Sequence, residues 1–169
     1  MRGNNPNGVY SPNGPADEHF TFIGSGTINA SGNIQSLIDP TMERTDVPNY
    51  CYKNMFFNCS NLTQAPVLPA TTLANNCYWN MFAGCSNLTT APALPATTLA
   101  NSCYYYMFSG CYYLTQAPAL PATTLANSCY ESMFYGCYKF SECHMKAEMQ
   151  GVYNTSTHGD TTKTVIYDL

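Results

Sequence analysis

Nine cysteines stand in this chain, and eight of them form two regular series. Cys51, Cys77, Cys103 and Cys129 are spaced 26 residues apart, and so are Cys59, Cys85, Cys111 and Cys137. Thiols can pair as disulfides, hold a metal or act as nucleophiles, and each use implies a different function. Three readings of this set are open. In the first, the two series stack as columns inside the molecule, where a buried Cys behaves as a small hydrophobe. In the second, neighbours within a column are joined as disulfides, which requires Cα atoms ~4.4–6.8 Å apart and an oxidising compartment. In the third, Cys137, Cys143 and His144 join in a metal site, although their spacing matches no zinc template and no fourth ligand is evident. The regular spacing favours the first reading, and Cys143, which replaces an Ala of the repeat, is expected to be core as well. No metal and no cofactor is expected.

Other reactive side chains lie at the two ends. Asp39, Glu43 and Asp46 precede the repeated region, while Glu142, His144 and Glu148 follow it. Neither group surrounds a recognisable nucleophile or metal pattern. From Asn54 to Tyr130 there is no Asp, Glu, His, Lys or Arg at all. That removes nearly every usual general acid, general base and phosphate clamp, so no enzymatic activity is expected. Charged residues make up 9% of the chain, against ~25% in ordinary globular proteins. The polar surface must then be Asn, Thr, Ser, Gln and Tyr, which suits uncharged polar partners such as sugars. A net charge of -4 with six Lys+Arg argues against nucleic acid, which requires a clustered basic face. No apolar run approaches the ~18–20 residues of a membrane span.

These residues are carried by four near-copies of a 26-residue unit beginning at Cys51, Cys77, Cys103 and Cys129. A fixed period of this length implies a solenoid, in which each repeat buries its apolar face against its neighbours. Residues 1–19, rich in Asn, Gly and Pro, read as a flexible arm that could dock on another structural protein. Residues 20–50 read as an N-terminal cap, with a short strand at Phe20, Phe22 and Ile23. The repeats fill 51–142, the last one degenerate. Residues 143–169 form a C-terminal cap, with a loop from Gly151 to Asp160 and a closing strand at Val165-Ile166-Tyr167. The first six residues carry no apolar signal core. Either an export signal has been removed or the chain leaves its cell by another route, such as inside a virion.

Within one unit, Cys77, Tyr78, Met81 and Phe82 are identical in all four copies. On a helical wheel these columns share an arc of about 140°. Asn76, Ser102 and Ser128 are good N-caps. Asn58, Gly84, Gly110 and Gly136 suit the left-handed position that ends a helix. The spacing therefore predicts a helix of about two turns, stable only through packing. Further on, Pro92 and Pro95 with their counterparts forbid helix and favour extended chain, whose parallel ladder should be short and incomplete.

The segments Met81-Phe82-Ala83-Gly84-Cys85-Ser86-Asn87-Leu88 and Ala93-Leu94-Pro95-Ala96-Thr97-Thr98-Leu99 resemble the BspA-like class of bacterial leucine-rich repeats, with its Phe-x-x-Cys-x-x-Leu pattern and a strand ending in Pro. Gly26 to Leu37 also resembles the capping stretch before such repeats. The resemblance covers roughly residues 20–169. It implies an α/β repeat solenoid: a leucine-rich-repeat-like right-handed coil with short parallel strands and short helices, capped at both ends. It further implies a cell-surface or extracellular adhesin that binds a host glycan or protein, or a related module carried on a virion.

Candidate contact residues are those that vary between copies. One column runs Lys53, Trp79, Tyr105, Glu131, and the next Asn54, Asn80, Tyr106, Ser132. A third runs Phe57, Ala83, Ser109, Tyr135, and a fourth Asn61, Asn87, Tyr113, Lys139. The wheel predicts that they face outwards. Trp79, Tyr105, Tyr106, Tyr112, Tyr113, Tyr135 and Tyr138 would then form an aromatic stripe suited to a glycan or a protein. The strand side, through Gln64, Thr90, Gln116 and Glu142, is a second and blander candidate face. Two functions follow: recognition through the stripe, or a structural decorating or spacer role anchored by the N-terminal arm.

Overall fold

A computed structural model describes residues 26–139, 142–145 and 164–167. The arm over 1–19, the strand at Phe20 to Ile23 and the loop from Gly151 to Asp160 lie outside the described residues. Strand β1 (Ile28–Asn29) pairs in parallel with β2 (Leu62–Gln64), with a register irregularity between Ile28 and Asn29. Strand β3 (Glu142–Met145) pairs in parallel with β4 (Thr164–Tyr167), which occupies the position expected for a closing strand. A 3-10 turn, Ile34–Leu37, follows β1; Asn33 caps it by accepting from the Gln35 N–H at 2.8 Å.

No α-helix is found among the described residues, so the expected two-turn helix is not formed. The chain from Asn76 to Cys85 is instead a ribbon of consecutive β-turns, and its hydrogen bonds alternate. The N–H groups of Cys77, Trp79, Met81, Ala83 and Cys85 each donate to the carbonyl three residues back, as in Met81 to Tyr78 at 3.1 Å. The N–H groups between them donate to the next repeat: Tyr78 to Cys103, Asn80 to Tyr105 and Phe82 to Met107, each at 2.9 Å. Every amide of the ribbon is thereby satisfied, half locally and half across repeats. The pattern recurs one unit earlier and one unit later, from Tyr52 to Cys77 and from Tyr104 to Cys129.

Backbone angles explain why a helix is excluded. Asn76, Asn80 and Gly84 have φ of 58°, 54° and 77°, and the corresponding residues of the other repeats match them. A positive φ at the third residue of a turn is the mark of type II, which favours Gly and Asn. The column containing Gly84 is therefore left-handed, as its residue types imply. Asn76, Ser102 and Ser128, read as helix N-caps, are left-handed too, which is the wrong conformation for that role. Turns of four residues and helical turns of 3.6 residues sort buried from exposed positions almost identically over so short a span. The wheel thus finds the right apolar face on the wrong backbone.

That face makes the core. Tyr52, Tyr78, Tyr104 and Tyr130 stack with ring centroids 5.7 Å apart. Phe56, Phe82, Phe108 and Phe134 stack at 5.4, 5.6 and 5.8 Å. Beside them lie buried Met81, Met107 and Met133, with Leu62, Leu88 and Leu114. The proline segments contribute Leu68, Leu94 and Leu120 from beneath, but their ladder is sparse, with isolated parallel bridges at Asn33–Val67, Asp46–Thr72 and Thr72–Thr98. Proline has no N–H to donate, which accounts for the gaps.

The eight cysteines of the two series are buried thiols. The Sγ of Cys85, Cys111 and Cys137 lies 3.1, 3.2 and 3.1 Å from the carbonyls of Phe56, Phe82 and Phe108, to which the thiol donates. Burial raises the pKa of each thiol it shifts, pushing Cys51 and Cys103 up to about 12. These are packing groups held protonated, as the first reading requires. Cys143 lies in β3 opposite Val165, and the environment of its side chain lies outside the described residues.

Candidate functional site

The seven aromatic candidates fall into two clusters that differ in exposure. The first lies on the turn ribbon, where Trp79, Tyr105 and Tyr106 are half-buried. Trp79 meets Tyr105 edge to face at 5.2 Å, and Tyr105 lies 4.6 Å from Tyr106. The Lys53 ammonium sits 4.4 Å from the Trp79 ring centroid, so one face of the indole is already engaged. Burial, followed by the nearby Glu131 carboxylate, raises the Tyr105 pKa. The column of Lys53, Trp79, Tyr105 and Glu131 therefore runs from cation through aromatics to anion along the repeat axis.

The second cluster is open to solvent. Tyr112, Tyr113, Tyr135 and Tyr138 are 49%, 52%, 49% and 74% exposed. Tyr112 and Tyr138 stack at 5.6 Å with ring planes 11° apart. The Lys139 ammonium lies 5.6 Å from the Tyr113 ring centroid. A Cβ on Gly136 would make only ordinary contact with the Tyr112 ring, at 3.8 Å, so the φ of 74° and not space selects the glycine there.

Not every varying column faces outwards. Asn54, Ser132 and Ala83 are buried, against the expectation from the wheel. Their columns lie at or beside the left-handed turn positions, where the ribbon contacts the next repeat. The Asn54 Oδ1 is buried there without a hydrogen-bond partner.

On the second candidate face, Gln64, Thr90 and Gln116 are exposed, while the side chain of Glu142 lies outside the described residues. An open groove of about 420 Å³ runs between two proline segments here, lined by Thr90, Leu94, Pro95, Gln116, Pro118 and Pro121. Its walls are mostly apolar and carry no charged side chain.

The sequence reading missed one set of residues. Asn49, Asn75, Asn101 and Asn127 form an exposed ladder in which the side chains of the first three accept from the next repeat. Asn75 N–H donates to Asn49 Oδ1 at 3.0 Å, Asn101 to Asn75 at 3.1 Å, and Asn127 to Asn101 at 3.3 Å. The signal was an Asn recurring at the repeat period, one position before the residues read as caps.

Among the described residues no group of three or more His, Cys, Asp or Glu could hold a metal ion. None of their helices is long and apolar enough to cross a membrane. Comparison with known proteins finds no family model, no curated protein and no solved structure that matches this chain.

Proposed function

We propose that this chain is a non-enzymatic recognition module, a capped leucine-rich-repeat-like solenoid whose exposed tyrosines bind a glycan or a protein. One internal comparison carries the reading. After the turn ribbon, the first two repeats place Ser60-Asn61 and Ser86-Asn87, whereas the last two place Tyr112-Tyr113 and Tyr138-Lys139. The turn at this pair recurs in the first three copies: the N–H of Ser60, Ser86 and Tyr112 donates to the carbonyl two residues back at 2.8, 2.8 and 3.0 Å. Serine and asparagine thus suffice for the fold, and the tyrosines are an addition to it.

Exposed Tyr supplies rigid contact area with a hydrogen-bonding tip, a composition that suits sugar rings and protein hot spots. A grouped set of such rings is costly in solubility unless a partner covers them. The solenoid reading rests on the hydrogen bonds and ring stacks that recur at the repeat period. Together with the BspA-like resemblance, it favours display on a bacterial surface or a virion.

The test is binding of the purified chain to a glycan array and to intact bacterial cells, beside Tyr112→Ser/Tyr113→Ser/Tyr138→Ser. Specific binding that the variant loses supports the module. Absence of binding by both, with both folded, would transfer the weight to a structural decorating or spacer role.

A further inference from the structure

Exposed columns behave in two opposite ways along this chain. The column just after the turn ribbon diversifies, as from Asn87 to Tyr113 to Lys139. On another edge of each repeat, Thr45, Thr71, Thr97 and Thr123 are all threonine and all exposed. Next to them Thr72, Thr98 and Thr124 are exposed as well, with Asp46 at the N-terminal end of the row. The asparagine ladder follows three positions later. Packing explains why a buried column stays constant, but it does not explain constancy in an exposed one.

Asn49, Asn75 and Asn101 have a structural task, since each Oδ1 receives the next repeat's N–H. That task leaves their Nδ2 donors available on an exposed edge. Thr71, Thr72, Thr97 and Thr98 are fixed through the backbone. The N–H groups of Thr97 and Thr98 both donate to the Thr71 carbonyl, at 3.1 and 3.2 Å, and those of Thr71 and Thr72 both donate to Thr45, at 2.9 and 3.2 Å. A β-branched side chain on a pinned backbone has few rotamers, so little order is lost when it is contacted. The result is a stiff, regular edge of hydroxyls, methyls and amide donors, uncharged beyond Asp46.

A surface that repeats itself gains most from a ligand that repeats too, because each further contact is then intramolecular. At this edge the parallel bridges Asp46–Thr72 and Thr72–Thr98 set the step between repeats at about 4.8 Å. A pyranose ring in an extended chain spans a comparable distance. The uncharged edge matches hydroxyl groups and offers no cation to carboxylates or sulfates.

We propose that the Thr71-Thr72, Thr97-Thr98 and Thr123-Thr124 edge, with the Nδ2 donors of Asn75 and Asn101, binds an extended neutral polysaccharide, one sugar ring per repeat. This site is separate from the tyrosine cluster and does not depend on it. The test is retention of the full chain on microcrystalline cellulose, chitin and insoluble mannan, with alginate gel as the acidic counterpart. Retention on at least one neutral polymer is expected, about tenfold weaker in Thr72→Glu/Thr98→Glu/Thr124→Glu. Thermal melts establish that the variants fold, and Thr98→Glu alone replaces the triple variant if that one does not. No retention on any neutral polymer would overturn the proposal. So would retention on alginate alone, or neutral retention that the threonine variants leave intact.

Discussion

The Tyr52 hydroxyl lies 3.0 Å from Oε1 of Gln35 and 3.1 Å from the Ile34 carbonyl, in the buried seam between the 3-10 turn and the first repeat. Gln35 is fully buried, and its Nε2 donates to the Asp46 carbonyl at 3.0 Å. One amide thereby ties the first ring of the tyrosine stack to the cap. Gln35→Leu removes an acceptor from Tyr52 and a donor from Asp46, so it should destabilise by about 1–3 kcal/mol. A denaturant titration reads this, and combining it with Tyr52→Phe should cost less than the sum of the two changes.

The next ring behaves in the opposite way. The Tyr78 hydroxyl is buried and has no hydrogen-bond partner. Tyr78→Phe removes an unsatisfied polar atom while leaving the stack intact. It should be neutral or raise stability by up to about 1 kcal/mol, whereas Tyr52→Phe should lower it. The difference between two equivalent positions is the quantity to measure.

Gly84 and Gly110 occupy the same left-handed column, at φ of 77° and 73°, but their surroundings differ. A Cβ at Gly84 would collide with Oδ1 of Asn58 and lie 3.2 Å from its Cα, while one at Gly110 would meet only Gly84 atoms at 3.6 Å. Gly110→Ala should cost roughly the 1–2 kcal/mol of the left-handed backbone alone. Gly84→Ala should cost more, because Asn58 must also move. Thermal melts of the two variants give the comparison.

Burial holds the cysteines protonated, and this fixes the sign of the alkaline response. The pKa of Cys51 and Cys103 rises from 9.0 to about 12 on folding. Their contribution to stability is complete below pH 9 and declines as pH rises from there through 12, because the unfolded chain ionises first. At the acid end, the Thr41 hydroxyl and the Arg44, Thr41 and Glu43 amides hold the Asp39 carboxylate down at about 2, against 3.8 ordinarily. Stability from that loop is present above 3.8 and is lost as pH falls through 2. A stability profile against pH should therefore fall at both ends. Asp39→Asn should flatten the acid limb, and the eight native thiols of the two series should resist iodoacetamide at neutral pH.

Much of this architecture is legible in the sequence, though not its backbone. The 26-residue period, the buried Cys, Tyr, Met and Phe columns and the left-handed Gly84 column all follow from residue types that packing or a positive φ selects. The turn ribbon was not legible, because its four-residue rhythm imitates a helix over two turns and the hydrogen bonds that decide between them go to another repeat. For the same reason the wheel placed Asn54, Ala83 and Ser132 outside. Tyr112, Tyr113, Tyr135 and Tyr138 were legible as exposed aromatics. The half-burial of Trp79 beneath Lys53 was not, because it depends on a side chain one repeat away.

The central claim is that the tyrosines of the last two repeats serve recognition and are dispensable to the fold. The decisive measurement grafts the Ser-Asn pair of the earlier repeats onto the later ones, as Tyr112→Ser/Tyr113→Asn/Tyr138→Ser/Lys139→Asn, and follows stability and ligand binding together. The account predicts a change in unfolding free energy within about 0.5 kcal/mol, as for surface substitutions, together with loss of binding. A graft that unfolds the chain, or one that leaves binding as strong as before, would contradict it.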